Sequence, residues 1–260
     1  MDNMKEKKPT ILVIGDLMID HYIWGRCERI SPEAPVQIVN VQKENSVLGG
    51  AGNVIHNLRA LKANVEVISV VGGDDVADEL KKKLEDIYVN PNMLIVEKNR
   101  KTSKKSRLIA SQQQVLRYDT ESIEDISKES CNSILENLTK KIDRYDVIIL
   151  SDYGKGVLTN SLTKDIISLA KKSNTKVLVD PKGSDYTKYK GAYTLTPNKK
   201  EAIEATNIDI KDDTTLLQAI KKLKDDCELE VSLITLSENG IAIFDHDIRI
   251  KPTVAREVYD

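Results

Sequence analysis

Asn198 and Glu201 stand three residues apart, directly after Thr196-Pro197 and a short apolar run. On the first turn of a helix this spacing sets an amide and a carboxylate one above the other. Two such oxygens aimed at one spot suit a hydrated Mg²⁺ that carries phosphates. The same tetrapeptide also fits a plain helix start, with Pro197 near the beginning and Glu201 in the first turn. A second candidate is Gly49-Gly50-Ala51-Gly52-Asn53, whose glycines let a ligand approach the backbone where a helix begins. It is neither a Walker loop nor GxGxxG. Polar loops also follow other apolar runs: Asp16 and Asp20, Ser151-Asp152-Tyr153-Gly154-Lys155-Gly156, Asp180-Pro181-Lys182-Gly183, and Ser237-Glu238-Asn239-Gly240.

These loops need a scaffold that brings them to one edge. Short apolar runs at 10–14, 65–71, 147–150, 176–179, 193–195 and 231–236 read as strands. Helical spacing recurs at 50–61, 76–84, 130–142, 162–170, from 198 onward, and at 216–223. Strands alternating with helices predict an α/β fold, a mostly parallel sheet with helices on both faces. In such sheets ligands bind beyond the carboxyl ends of the strands, where the polar loops fall. Segments 36–42 and 107–118 read as strands with polar alternation outside this rhythm, either edge strands or a small sheet standing off as a lid.

The chain has 260 residues, enough for a sizeable core. A formal net charge of −2, with 31% charged residues, argues against a dedicated nucleic-acid or membrane-surface protein. Cys27, Cys131 and Cys227 are far apart and odd in number, which predicts reduced thiols without a zinc site. No apolar run approaches transmembrane length and residues 1–9 lack a secretion signal, so the expected location is cytoplasmic.

Over nearly its whole length the chain resembles the ribokinase-type (PfkB) sugar kinases. The carriers are Ile14-Gly15-Asp16 with Asp20, the run Arg29 to Val36 with its Ser-Pro-Glu-Ala-Pro, the Gly49-Gly50 loop, Val71-Gly72 with Asp74-Asp75, Lys104 to Arg107 with Gln112 to Arg117, Ser151 to Gly156, Asp180 to Gly183, and Thr196 to Glu201. Within the family it is most similar to the D-glycero-β-D-manno-heptose 7-phosphate kinases of ADP-heptose biosynthesis. The resemblance implies a single ribokinase-like three-layer domain over 1–260 with a small β lid from about 20–45 and 95–118. It implies ATP and Mg²⁺ as cosubstrate and ion, and in-line transfer of a phosphoryl group to the anomeric hydroxyl of the heptose 7-phosphate, giving the 1,7-bisphosphate.

By the same resemblance Asp20, Gly49, Gly50 and Asn53 hold sugar hydroxyls, and Asp152 is a residue of the substrate side. Arg107, Arg117 and Lys155 are the candidates for the 7-phosphate, as guanidinium forks match phosphate oxygens. Lys182, Asn198, Glu201, Ser237 and Gly240 belong to the nucleotide side, with Glu201 holding Mg²⁺ through water. The family's base and anion hole come from a Gly-Ala-Gly-Asp segment, expected beyond Asp260; the expectation is therefore a truncated kinase domain with little activity alone. Asp152 is no convincing substitute base. The alternatives are another PfkB-type sugar or nucleoside kinase, and a non-catalytic sugar-phosphate-binding protein. A homodimer through the lid sheet is also implied, since an uncovered small sheet presents an open edge.

Overall fold

The first strand places Ile11 and Val13 on one face and Leu12 and Ile14 on the other, all four buried. A strand apolar on both faces needs cover on both. The computed structural model, which describes residues 8–253, supplies that cover with helices. In chain order the strands are β1 (Thr10–Gly15), β2 (Leu17–Ile30), β3 (Gln37–Gly50), β4 (Asn64–Gly72), β5 (Leu94–Glu97), β6 (Ser103–Ala110), β7 (Gln113–Thr120), β8 (Val147–Ser151), β9 (Lys176–Asp180), β10 (Thr194–Leu195), β11 (Ser232–Thr235), β12 (Ile241–Phe244) and β13 (Ile248–Lys251). The α-helices are α1 (Ala51–Ala60), α2 (Asp75–Asp86), α3 (Lys128–Thr139), α4 (Asn160–Lys172), α5 (Lys199–Thr206) and α6 (Asp213–Asp226).

Six strands form a parallel sheet in the order β10-β9-β8-β1-β4-β5. On one face Ile11, Val13, Val65 and Val67 pack with Ile55 of α1 and Leu80 and Leu84 of α2. On the other, Leu12, Ile14, Ile68 and Leu150 pack with Ile134 of α3, Ile166 of α4 and Ile220 of α6. Each such fully buried side chain contributes roughly 1.5–3 kcal/mol. The three-layer α/β sandwich expected from the pattern is therefore present. Helices α2 to α6 each start on an Asp, Ser, Thr or Asn whose side chain accepts a first-turn N–H, a residue choice that stops the strand-loop and starts the helix. No described helix is long and apolar enough to cross a membrane.

A second, four-stranded sheet stands off the first in the order β3-β2-β6-β7. Its strands, within 17–50 and 103–120, take in most of the 20–45 and 95–118 expected for a lid, so it is the candidate lid sheet; Leu94–Glu97 belongs to the central sheet instead. Of residues 36–42, those from Gln37 on are the start of the fourteen-residue β3, and β2 was not anticipated as a strand. Residues 107–118 are not one strand but parts of β6 and β7, joined at Ser111-Gln112 with φ of 50° and 65°. Two consecutive positive φ values make the two-residue turn that matches strand twist. The run at 231–236 also differs. Its strand β11 touches the parallel sheet through Val231 N–H to Tyr193 O (3.0 Å) and Thr235 N–H to Pro197 O (2.9 Å), and pairs antiparallel with β12.

Asp16, one residue past β1, ties three elements together. Its carboxylate is buried and accepts from the backbone N–H of Tyr153 (2.8 Å) and Lys155 (3.1 Å) on Oδ2 and Val157 (3.2 Å) on Oδ1. Its carbonyl accepts from Ala51 N–H at the start of α1 (3.0 Å), and its own N–H donates to Ser151 O (3.1 Å). Burial pushes its pKa above the ordinary value, and the three loop N–H groups oppose that rise. Asp16→Ala leaves three N–H donors without their acceptor. The expected loss is on the order of 3 kcal/mol in urea unfolding. A variant as stable as the parent would contradict this role.

Candidate active site

The lid turns one face toward the loop that Asp16 organises. Strand periodicity puts Asp20 and Tyr22 of β2, Lys105 and Arg107 of β6, and Arg117 and Asp119 of β7 on that face. Arg107 Nη1 donates to Asp20 Oδ1 at 2.7 Å and its guanidinium lies 5.2 Å from the centre of the Tyr22 ring. Arg117 stands opposite Arg107 in the ladder and forks onto Asp119, Nε to Oδ1 at 3.0 Å and Nη2 to Oδ2 at 2.8 Å. That fork pulls the Asp119 carboxyl down to about 2. Lys105 Nζ reaches Asp119 Oδ2 (3.3 Å) and Glu121 Oε2 (3.4 Å), and Lys155 Nζ donates to Glu121 Oε1 (2.6 Å). Gly49 lies beside Asp20, close enough that a Cβ would overlap its carboxylate. Gly50 adopts φ +55°, a left-handed turn that aims the chain from β3 into α1.

A second cluster lies at the carboxyl ends of β8, β9 and β10. Asp152, Tyr153, Asp180, Lys182, Thr196, Asn198, Glu201 and Thr235 line a cavity of about 290 Å³. Asn198 is not inside the first turn of α5 but caps it. Its Oδ1 accepts from Glu201 N–H (2.9 Å), and Glu201 Oε2 accepts from Asn198 N–H (2.9 Å). This reciprocal box satisfies two of the helix's orphan donors. Glu201 and Asp152 stand close enough to Asp180 that their charges, after burial, push its carboxyl up to about 6; Lys182 offsets only part of that.

Other expected residues are placed differently. Asp152 is buried and its oxygens are engaged: Oδ1 by Gly154 N–H (2.8 Å), Oδ2 by Lys188 Nζ (2.5 Å) and Tyr189 OH (2.8 Å). It lines the second cavity and supports its floor, in place of facing the lid. Asn53 lines a further cavity of about 420 Å³ with Val47, Leu48, His56, Lys83, Asp86 and Ile87, between β3 and the helices. Ser237 begins a short 3-10 turn that ends at Gly240, and this turn joins the antiparallel β11 and β12. Gly240 has φ +91° and a Cβ there would overlap the Lys251 carbonyl, so β13 requires the glycine. The expectation of a base beyond Asp260 lies outside the described residues.

Lys105 and Asp180 stood in named runs without a role of their own, and Asp119, Glu121 and Lys188 were not singled out from sequence. The signal for Lys105 and Asp119 was present, charged residues at i and i+2 on strands; reading 107–118 as one strand hid the turn that makes Lys105 face Asp119. For Lys188 no local pattern existed, and the loop that marked Asp180 did not show its neighbours, because their partners arrive from other strands and turns.

The comparisons with known proteins agree with this architecture. A family model described as pfkB family carbohydrate kinase matches residues 8–260. The chain belongs to this family. It thereby stands among phosphotransferases that act on a sugar hydroxyl. It is 72% identical over 257 residues to the bifunctional protein HldE of Aliarcobacter butzleri, across 99% of this chain and 54% of that protein. The bifunctional protein HldE of Sulfurimonas denitrificans is 60% identical across 100% of this chain and 54% of its own length. The chain thus spans about half the length of the curated relatives it matches. Among solved structures, Arabidopsis thaliana ribokinase complexed with ribose and ATP aligns with a TM-score of 0.72 at 16% identity, over 95% of this chain and 79% of that one. Escherichia coli phosphofructokinase-2 gives 0.71 at 14%, over 94% and 79%. At these identities the likeness shows a shared fold.

The raised Asp180 carboxyl has a consequence for stability. Its folded value of about 6 lies above the ordinary 3.8. Between the two, the folded protein holds a proton the unfolded chain has released, so this group's contribution to stability falls as pH rises across that window. Asp180→Asn removes the ionised form. Its melting temperature relative to the parent is expected to increase from pH 4 to pH 7 by calorimetry. A constant difference would show that Asp180 ionises as an unperturbed carboxyl.

Proposed function

We propose that the protein is an ATP-dependent sugar kinase whose acceptor is D-glycero-D-manno-heptose 7-phosphate, phosphorylated at the anomeric hydroxyl to the 1,7-bisphosphate. The observation that carries the reading is the loop at 152–155. Its Tyr153 lines the cavity of Asn198 and Glu201, while its Lys155 joins the lid cluster of Asp20, Arg107 and Arg117. One cluster suits an acceptor with its own phosphate, and the other suits phosphates with a cation. They meet on a single loop, as a transfer between them needs.

In this reading Asp20 accepts from two neighbouring sugar hydroxyls while Arg107 holds it in place. Gly49 keeps space open beside that carboxylate. Arg107, Arg117 and Lys155 take the phosphate already on the sugar. The donors around the second cavity fit a hydrated Mg²⁺ with ATP phosphates. Asp180 lies beside two further carboxylates, and a cation relieves their mutual repulsion. Asn198 and Glu201 would hold that ion through water and Lys182 would meet the phosphates; the ion supplies neutralisation of the phosphoryl charge. The base is not assigned to a described residue. The proposal includes a cytoplasmic location and a homodimer through the lid. Val41, Val115, Leu116 and Tyr118 of the lid are each about half exposed, and β3 and β7 are its open edges.

Calorimetric titration tests the acceptor. Heptose 7-phosphate is expected to bind at least about tenfold tighter than unphosphorylated heptose, ~1.4 kcal/mol. A tighter hexose or nucleoside would point to another acceptor within the family. Sugar phosphate binding without any binding of Mg-ATP would favour a non-catalytic binding protein. For the assembly, sedimentation velocity is expected to give a dimer that Leu116→Lys with Tyr118→Lys dissociates. A monomeric parent sinks the lid interface.

A further inference from the structure

Glu121 occupies an unusual position in the lid cluster. It lies one residue past β7, outside the ladder, with a side chain only 18% exposed. Its two oxygens take one ammonium each: Oε1 accepts from Lys155 at 2.6 Å and Oε2 lies 3.4 Å from Lys105. One ammonium comes from the lid and one from the core loop, so this carboxylate bridges the two bodies across the site. Lys105 is 13% exposed and meets Asp119 as well, whose other contacts are the Arg117 fork.

The two lysines differ from Glu121 in how firmly they are placed. Lys155 has its N–H on the buried Asp16 carboxylate and its carbonyl under the Arg100 guanidinium. Lys105 sits within the β6 ladder between β2 and β7. Glu121 has no ladder partner, and its N–H and carbonyl are outside both sheets. Rotation of its side chain frees Lys155 and leaves Lys105 paired with Asp119 alone, without breaking a strand pair. Lys105 lies on the lid face that carries Arg107 and Arg117, and Lys155 reaches Glu121 beside it from the core loop.

We propose that Lys105 and Lys155 form a phosphate seat, and that Glu121 is its internal counter-anion, displaced when the phosphate of the acceptor arrives. This rests on the reading of the acceptor as a phosphorylated sugar. A phosphate dianion offers three oxygens and about twice the charge of a carboxylate, so it bridges the same two ammonium groups more strongly. Glu121 offsets one of the seat's two positive charges and keeps the lid docked on the loop when no ligand is there. Its displacement lowers affinity for any phosphate, while a ligand without a phosphate leaves it in place. The partly screened position makes the exchange matter more than on an open surface.

The test titrates the parent, Glu121→Gln and Lys105→Met with inorganic phosphate, heptose 7-phosphate and unphosphorylated heptose. Glu121→Gln is expected to bind both phosphate-bearing ligands about fivefold tighter, with heptose unchanged. Lys105→Met is expected to bind them about tenfold more weakly, again with heptose unchanged. If heptose 7-phosphate binds the parent but Glu121→Gln does not tighten it, the counter-anion is overturned while the kinase reading stands. If Lys105→Met leaves it unchanged, the seat is overturned. If heptose 7-phosphate fails to bind while inorganic phosphate responds to both variants as described, the acceptor reading falls and the seat remains. Equal weakening of all three ligands by Glu121→Gln would mark a structural clasp and overturn the exchange. Should Glu121→Gln lower the melting temperature, the same titrations on Glu121→Asp decide. That variant keeps the charge but loses the span between the two ammonium groups, and is expected to tighten the phosphate ligands alone.

Discussion

The geometry of both clusters hangs on the buried carboxylate of Asp16. An ionised group out of water is costly unless its lone pairs are filled, and here three backbone N–H groups from one loop fill them. The exchange works in both directions. The carboxylate gains the donors it needs, and a loop with no regular structure gains a single conformation. Because the Asp16 carbonyl also receives Ala51 N–H, the same residue sets where α1 begins after Gly49-Gly50. A shift of this one side chain would therefore move Tyr153 in the cavity, Lys155 in the lid cluster and the glycine turn together.

Capping and ligand binding at Asn198 and Glu201 are not competing explanations. The box that starts α5 holds both side chains in one rotamer each before anything binds. Side chains already ordered for the sake of the helix lose little further freedom on meeting a ligand. Nearby, Asp152 shows the opposite allocation. Its oxygens are committed to Gly154, Lys188 and Tyr189, and its value to the site is as a support for the cavity wall. Two acidic residues of similar chemistry thus differ in use because one is capped at a helix edge and the other is buried among donors.

The lid has a different economy. On the face toward the loop, Arg107 is paired with Asp20, Arg117 with Asp119, and Lys105 with Asp119 and the adjoining Glu121, so these cations are balanced locally without a ligand. Such pairs are modest in energy while partly exposed, which leaves them open to exchange with a better anion. A sheet anchored by β2 running straight out of the core strand β1 can hold these groups in register while remaining a separate body.

Much of the scaffold was legible from the residues. The buried runs 10–14, 65–71, 147–150 and 176–179 are apolar on both faces, and that pattern admits few structures besides a covered parallel sheet. The helices were also read, but from their apolar spacing, so α2, α3, α4 and α6 begin one to three residues before the 76, 130, 162 and 216 expected, on caps that spacing does not show. The lid was read poorly for a physical reason. β2 mixes buried and polar residues because one end lies in the core and the other in solvent, and the Ser111-Gln112 turn carries neither glycine nor asparagine. The resemblance to the PfkB sugar kinases pointed to Asp20, Arg107, Arg117 and Lys155 for a sugar phosphate, and their residue types suit it. That Lys105 and Glu121 belong with them, that Asp180 is crowded by Glu201 and Asp152, and that Asp152 faces inward depended on which strands lie side by side. Charges set far apart in sequence on different elements interact only after the chain has folded, and no local pattern records the distance between them.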